Sequence, residues 1–261
     1  MARREPDGPV VAVSKALKAV LRLGTILLET GETTAVVEEA VRRVGKALGA
    51  SAVEVNANPS RVLVSIEQEG LAVTGFTTIH RTGVRLSLAS DALSLIARLE
   101  QELMKPDQFE AELESLASQP RNYSWWLTAL AVGAACGAFG VLLGGSGRDF
   151  LVICLAASLA QGVRHHLMAT RMGSFLTTAV IAGLASSSGW WLAGDDFRVP
   201  AAASILMLVP GVPLLNGIAD LLKGDSLSGL ARLTNAMVTI IMAGAGVWVA
   251  VLSLGLTDSV G

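Results

Sequence analysis

From Trp125 onward the chain is written in apolar runs, each close to the ~17–25 residues that a helix needs to cross a bilayer, and this leaves few choices of fold. Five runs, approximately 125–143, 150–168, 173–193, 201–222 and 233–255, are separated by short polar stretches. With no water to satisfy backbone groups, spanning segments of this kind must be helical. The charge distribution agrees. Of 20 Lys and Arg, 14 precede Ser124, and of 22 Asp and Glu, 16 do. The reading is therefore an α+β cytoplasmic domain over 1–120, followed by an α-helical transmembrane domain of five spans over 121–261.

The fourth run, AAASILMLVPGVPLLNGIADLL, is the unusual one. Each proline lacks an N–H and clashes with the carbonyl four residues back. Pro210 and Pro213 thus free the carbonyls of Leu206 and Val209, with Gly211 between them. If the span begins near Ala201, a rise of ~1.5 Å per residue puts Pro210 about 14 Å into a ~30 Å core. Non-helical backbone at that depth is expected only inside protein or along a watery cavity. Beyond the break, Pro213, Asn216 and Asp220 fall on one helical face. The short stretch Lys223 to Gly229 then predicts a hairpin that pairs Asp220 with Arg232, with Asn235 one turn further on. These residues form the candidate substrate pathway. The freed carbonyls suit an ammonium group, and Arg164 or Arg232 suits an anion.

Before Ser124 the periodicities alternate. Val10 to Glu29 has helical apolar spacing, and Gly31 stops it. Thr33 or Thr34 then caps a second helix carrying Val37, Val41, Val44 and Leu48. Ala52 to Ala57, Arg61 to Ile66 and Leu71 to Ile79 read as strands, with turns at Asn58-Pro59 and Glu69-Gly70. Ser90 or Asp91 is expected to cap a third helix that Pro106 ends, and Asp107 to Glu110 a capping box for a fourth. Glu38 and Glu39 are expected to pair with Arg42 and Arg43 on a solvated face. There is no nucleophile elbow, P-loop or HExxH pattern, and His80 beside Arg81 has no partner placed by the sequence. No catalytic residue, metal site or cofactor is expected.

A net charge of −2 gives no footprint for nucleic acid. Cys136 and Cys154 lie in apolar runs and read as small buried side chains. The basic start MARREPDGP lacks an apolar region directly behind it, so no cleavable signal peptide is expected. Arg164, Arg171, Lys223 and Arg232 join the 14 early basic residues on one side, against Arg148 and Arg198 on the other. That asymmetry predicts the N-terminus inside and the C-terminus outside a bacterial inner membrane. Tyr123, Trp125, Trp126, Trp190 and Trp191 mark interfaces. Gly133, Gly137, Gly140 and Gly144, with Gly183, Gly189, Gly244 and Gly246, predict close helix packing within the chain or in a homo-oligomer. Gln161, Arg164, His165 and His166 end the second span as a candidate gate or relay, or as a positive-inside anchor.

Three stretches resemble the threonine/serine exporter (ThrE-like) family: LLETGETTAVVEEAVRRVGKALG (Leu27 to Gly49), RHHLMATRMGSFLTTAVIAGLAS (Arg164 to Ser186) and LVPGVPLLNGIADLLKGDSLSGLAR (Leu208 to Arg232). The resemblance covers nearly the whole chain. It implies export of threonine and serine or, in split members, of a dicarboxylate such as succinate. Full-length members resemble this chain plus a further membrane domain, so the chain resembles the split form, whose long subunit works with a small membrane subunit. Proton coupling is expected in the absence of a nucleotide-binding motif. A membrane-anchored enzyme and a sensor or scaffold are the competing classes.

Overall fold

A computed structural model describes residues 9–79, 83–119, 123–168, 170, 172–194 and 198–254. His80, Arg81, Arg121 and Arg171 lie outside the described residues, as does the basic start up to Gly8. The chain divides into two compact units, one of residues 1–120 with 212–233 and the other of 121–211 with 234–261.

The first unit is built around helix α1 (Pro9–Glu29), which packs on α2 (Thr34–Ala47) and on a three-stranded sheet. The strands β1 (Ala52–Asn58), β2 (Arg61–Gln68) and β3 (Leu71–Thr78) form an antiparallel meander in the order β1-β2-β3, with Val55 opposite Val64 and Ser65 opposite Thr74. Alternation along β2 turns Val62, Val64 and Ile66 into the core against Val20, Leu23, Val37, Val41 and Val44. The two-residue turn between β2 and β3 needs left-handed backbone at both positions, and Glu69 (φ 52°) and Gly70 (φ 76°) supply it. Helices α3 (Leu86–Glu100) and α4 (Pro106–Ser118) add Leu95, Ile96, Leu99, Phe109 and Leu113 to the same core.

Local details depart from the sequence reading. Helix α3 starts at Leu86, so Ser90 and Asp91 lie inside it rather than capping it. Helix α4 starts at Pro106, a residue suited to a first turn whose N–H groups are unpaired anyway, and the Gln108 side chain accepts the Lys105 N–H. Arg42 pairs with both Glu38 and Glu39, whereas Arg43 reaches across to Glu100. Glu38 also accepts the N–H of Ala57 at 2.9 Å, tying α2 to the edge of the sheet.

The second unit is helical: α5 (Trp125–Leu142), α6 (Gly147–Leu167), α7 (Ser174–Ala193), the short α8 (Arg198–Ala203) and a 3₁₀ turn at Leu206–Leu208. Two further helices continue the chain, α9 (Gly211–Leu222) and α10 (Ser226–Ser253). Among the described residues four helices, α5, α6, α7 and α10, are long and apolar enough to cross a membrane, and a fifth span arises there only if the bent pair Arg198–Leu208 and Gly211–Leu222 is counted as one.

Glycines set the helix contacts inside the second unit. A Cβ at Gly133 would meet the Cys154 carbonyl at 2.4 Å, and one at Gly137 the Phe150 carbonyl at 2.8 Å, so α5 and α6 touch backbone to backbone. Gly246 of α10 lies as close to the Ala179 carbonyl of α7, whereas Gly244 faces open space. Cys136 is buried beside Ile153 and Ala157. Only 17% of the most apolar window of α10 is buried, and Ile241, Trp248 and Val249 are exposed as lipid-facing residues would be.

Candidate substrate pathway

The fourth apolar run is not one kinked helix. Helix α8 stops at Ala203, the 3₁₀ turn follows, and α9 restarts at Gly211. Pro213 sits in the first turn of α9, where its missing N–H removes no helical hydrogen bond. The Leu206 carbonyl accepts the Val209 N–H at 3.1 Å, and the Val209 carbonyl accepts the Gly211 N–H at 2.9 Å. Pro210 thus lies in the break itself, and each of the two carbonyls already holds one bond.

Helix α10 begins seven residues earlier than the apolar pattern suggested, so the α9–α10 loop is only Lys223 to Asp225 and Arg232 is helical. The hairpin is tight because Gly217 and Gly229 face each other. A Cβ on Gly229 would meet the Gly217 carbonyl at 2.8 Å, and one on Gly217 the Leu233 side chain at 2.9 Å. Asp220 lies three residues after Gly217, toward the loop, and Arg232 three residues after Gly229, away from it, and the long Arg232 side chain spans that offset to reach Asp220.

Asp220 is fully buried, and Arg232 keeps 11% of its side chain exposed. Their Oδ2 and Nε atoms are 3.0 Å apart, an ion pair whose N–H does not point along the contact. Both atoms are left without a hydrogen bond. The remaining contacts of the pair come from the loop after α1. Gly31 (φ 93°) ends that helix and turns its carbonyl to the Asn216 side-chain amide, which donates to it. The Glu32 carbonyl accepts from Arg232 Nη2 at 2.8 Å. Thr34 donates its N–H to Asp220 Oδ1 at 3.2 Å, and its hydroxyl lies 3.0 Å from the same oxygen and 2.8 Å from Asp225 Oδ2. A hydroxyl carries one hydrogen, so Thr34 serves the two carboxylates one at a time.

Burial works to raise the pKa of Asp225. The hydrogen bonds from Ser228 and Thr34 and the charge of Arg232 outweigh it and hold the carboxyl below the ordinary aspartate range. The Ser228 N–H donates to Asp225 at 3.1 Å, and the buried Ser228 hydroxyl supports the same carboxylate. The first unit thus gathers Asn216, Asp220 and Arg232 with Thr34, Asp225, Ser228 and two loop carbonyls, a set of two carboxylates against one guanidinium. Sequence reading missed Thr34, Asp225 and Ser228. The acidic, hydroxyl-rich GETT and GDSLS stretches were the available signal.

Other candidates lie in the second unit. Gln161 presents a buried Oε1 with no hydrogen bond, and Arg164 is half-buried one turn on. His165 stacks on Trp125 with ring centroids 5.7 Å apart, and His166 meets the same ring edge-on. Both imidazoles are exposed, an arrangement that fixes the end of α6 against the start of α5. Asn235 is exposed on α10, and its carbonyl accepts from the Thr239 hydroxyl at 2.8 Å.

With these positions in place, the threonine/serine exporter (ThrE) family model matches residues 18–254. The chain belongs to this family. It is similar to the "Probable succinate transporter subunit YjjP" of Escherichia coli K12, 29% identical over 92% of this chain and 96% of that protein. It is also similar to the "Probable threonine/serine exporter" of Mycobacterium tuberculosis (27%, over 94% of this chain but 47% of that protein) and to the "Threonine/serine exporter" of Corynebacterium glutamicum (25%, over 90% and 50%). No solved structure matches it. Family membership and the apolar helices make the chain a multi-pass membrane protein of an exporter family.

Proposed function

We propose that this chain is the long subunit of a secondary exporter for a small polar metabolite, with threonine and serine as the leading substrates. The observation that carries this reading is the Asp220–Arg232 pair. Two ionisable groups are buried in a hairpin of apolar helices directly after a helix break. Such groups are costly in a membrane and mark substrate or ion paths, and broken helices are the usual carriers of transporter sites. A buried ion pair adds little stability over apolar packing, so stability alone does not account for its presence. Proton coupling completes the reading, with residues 1–120 on the cytoplasmic side and the C-terminus outside. The exporters of Mycobacterium and Corynebacterium are about twice the matched length, which supports a second membrane subunit as the partner that supplies the other half of the pathway.

A dicarboxylate is the second reading, favoured by the name of the Escherichia relative. The test is efflux of threonine, serine and succinate from loaded cells that carry this chain with and without a small membrane subunit of the same family. Efflux of threonine or serine that needs both chains is the expected result. Export of none of the three by cells with well-expressed chains would overturn the reading.

A further inference from the structure

We infer that Asp220 and Arg232 form the recognition site for the zwitterionic head of an amino acid, held closed in this conformation by their mutual ion pair. The inference rests on the exporter reading and narrows its substrate class. Two buried polar atoms meet there as an ion pair without a hydrogen bond between them, Asp220 Oδ2 and Arg232 Nε. Asp220 is 0% exposed. Buried groups of this kind are nearly always hydrogen-bonded, so a buried pair held by charge alone points to a ligand that bonds both atoms in another state.

The chemistry of the pair is specific. The guanidinium of Arg232 offers a planar donor edge suited to a carboxylate. Asp220 Oδ2 offers an anionic acceptor suited to an ammonium. The two stand 3.0 Å apart, so a ligand bringing both charges on one carbon replaces each half of the pair with a group of the same sign. Ser228, one turn before Arg232 on α10, is engaged with Asp225. The rest of the cluster is already engaged. Glu32 holds Arg232 from the far side, and Thr34 holds Asp220 Oδ1 and Asp225.

The charge count decides between the substrate classes. Asp220 and Asp225 against Arg232 leave the cluster at −1. A zwitterion adds no net charge and brings an ammonium to the acidic side. A dicarboxylate has one guanidinium for two carboxylates, and its second charge must face Asp220. Repulsion between like charges in a poorly solvated site is severe.

The test is competition against radiolabelled threonine on the purified full chain in detergent, alone and copurified with its small membrane subunit. The competitors are serine, threonine amide, N-acetylthreonine and succinate. Serine is expected to compete within a few-fold of threonine. The amide lacks the carboxylate and the acetyl derivative lacks the ammonium, so each should bind at least about tenfold more weakly, because it leaves a buried charge unpaired. Succinate should not compete. Asp220→Asn and Arg232→Gln should each weaken threonine binding at least about tenfold, with folding checked by size exclusion; the ligand series on the wild type stands even if a variant misfolds. Competition by succinate equal to that by serine, tolerance of the acetyl group, or no threonine binding by either preparation overturns the inference. Failure of the exporter reading looks different: cells then export none of the three metabolites. Succinate efflux with succinate binding at this site would keep the exporter and remove the zwitterion.

Discussion

The hydroxyl of Thr34 reaches two carboxylates, Asp220 and Asp225, and the Thr34 N–H fixes one of them. Replacing it with the isosteric Val removes the hydroxyl from a buried acidic pair and keeps the N–H. The expected loss is about 1–3 kcal/mol, the usual range for leaving a buried polar group unsatisfied. It would register as a lower thermal midpoint in detergent for Thr34→Val, with Thr34→Ser close to wild type. The same residues set a pH dependence. Asp225 has its pKa depressed in the folded chain, so its contribution is complete above the ordinary aspartate value of about 3.9 and is lost as pH falls from there through the folded value. Thr34→Val should flatten that acid limb, and an unchanged limb would show that Thr34 does not hold Asp225. Asp220 and Arg232 were legible in the sequence because ionisable residues stand out in apolar runs. Thr34 was not. It reads as one of two helix caps, Thr33 does the capping, and its real partners lie 186 and 191 positions away, where no periodicity points.

At the scale of elements, the hydrophobic pattern gave the strands, the four continuous apolar helices and the existence of a break. It erred where proline and glycine act through their position within a helix. Pro213 was read as a breaker in mid-helix, but in a first turn it is tolerated, so the break lies upstream, from Ser204 to Pro210. Glycine spacing signalled close packing without saying which glycine touches what. Gly244 and Gly246 are alike in sequence, yet among the described residues only Gly246 meets a neighbour: an added Cβ would collide with the Ala179 carbonyl, which is backbone and has little room to yield. Gly246→Ala is therefore expected to cost about 1–3 kcal/mol by overpacking. Gly244→Ala is expected to be neutral or slightly stabilising, since alanine favours a helix over glycine by roughly 0.5–1 kcal/mol. Thermal unfolding of the two variants side by side checks this, and equal midpoints would show that α7 and α10 do not pack at Gly246.

At the scale of the whole molecule, a cut after residue 120 follows the change in composition and treats what comes after it as a separate domain. Packing argues otherwise. The compact unit that holds residues 1–120 also holds 212–233, because a hairpin apolar by composition has its buried polar atoms met by Gly31, Glu32 and Thr34. Composition cannot report this, since it averages over twenty residues and the connection is made by single hydrogen bonds to a loop. A chain starting at 121 would keep α9 and α10 but leave Asp220 with only the misaligned Arg232 contact and strip Asn216 and Arg232 of their acceptors, in a setting where unsatisfied charge is costly. Truncation is thus expected to abolish efflux rather than reduce it, with the fragment prone to aggregation on size exclusion. Supplying residues 1–120 as a separate chain should restore some transport, because the contacts to be remade are intermolecular versions of those within the unit. Thr34→Val in the supplied fragment should weaken that rescue. Partial efflux by the fragment alone would mean that the hairpin holds its charges without the loop, and would return Asp220 and Arg232 to the status of a local pair.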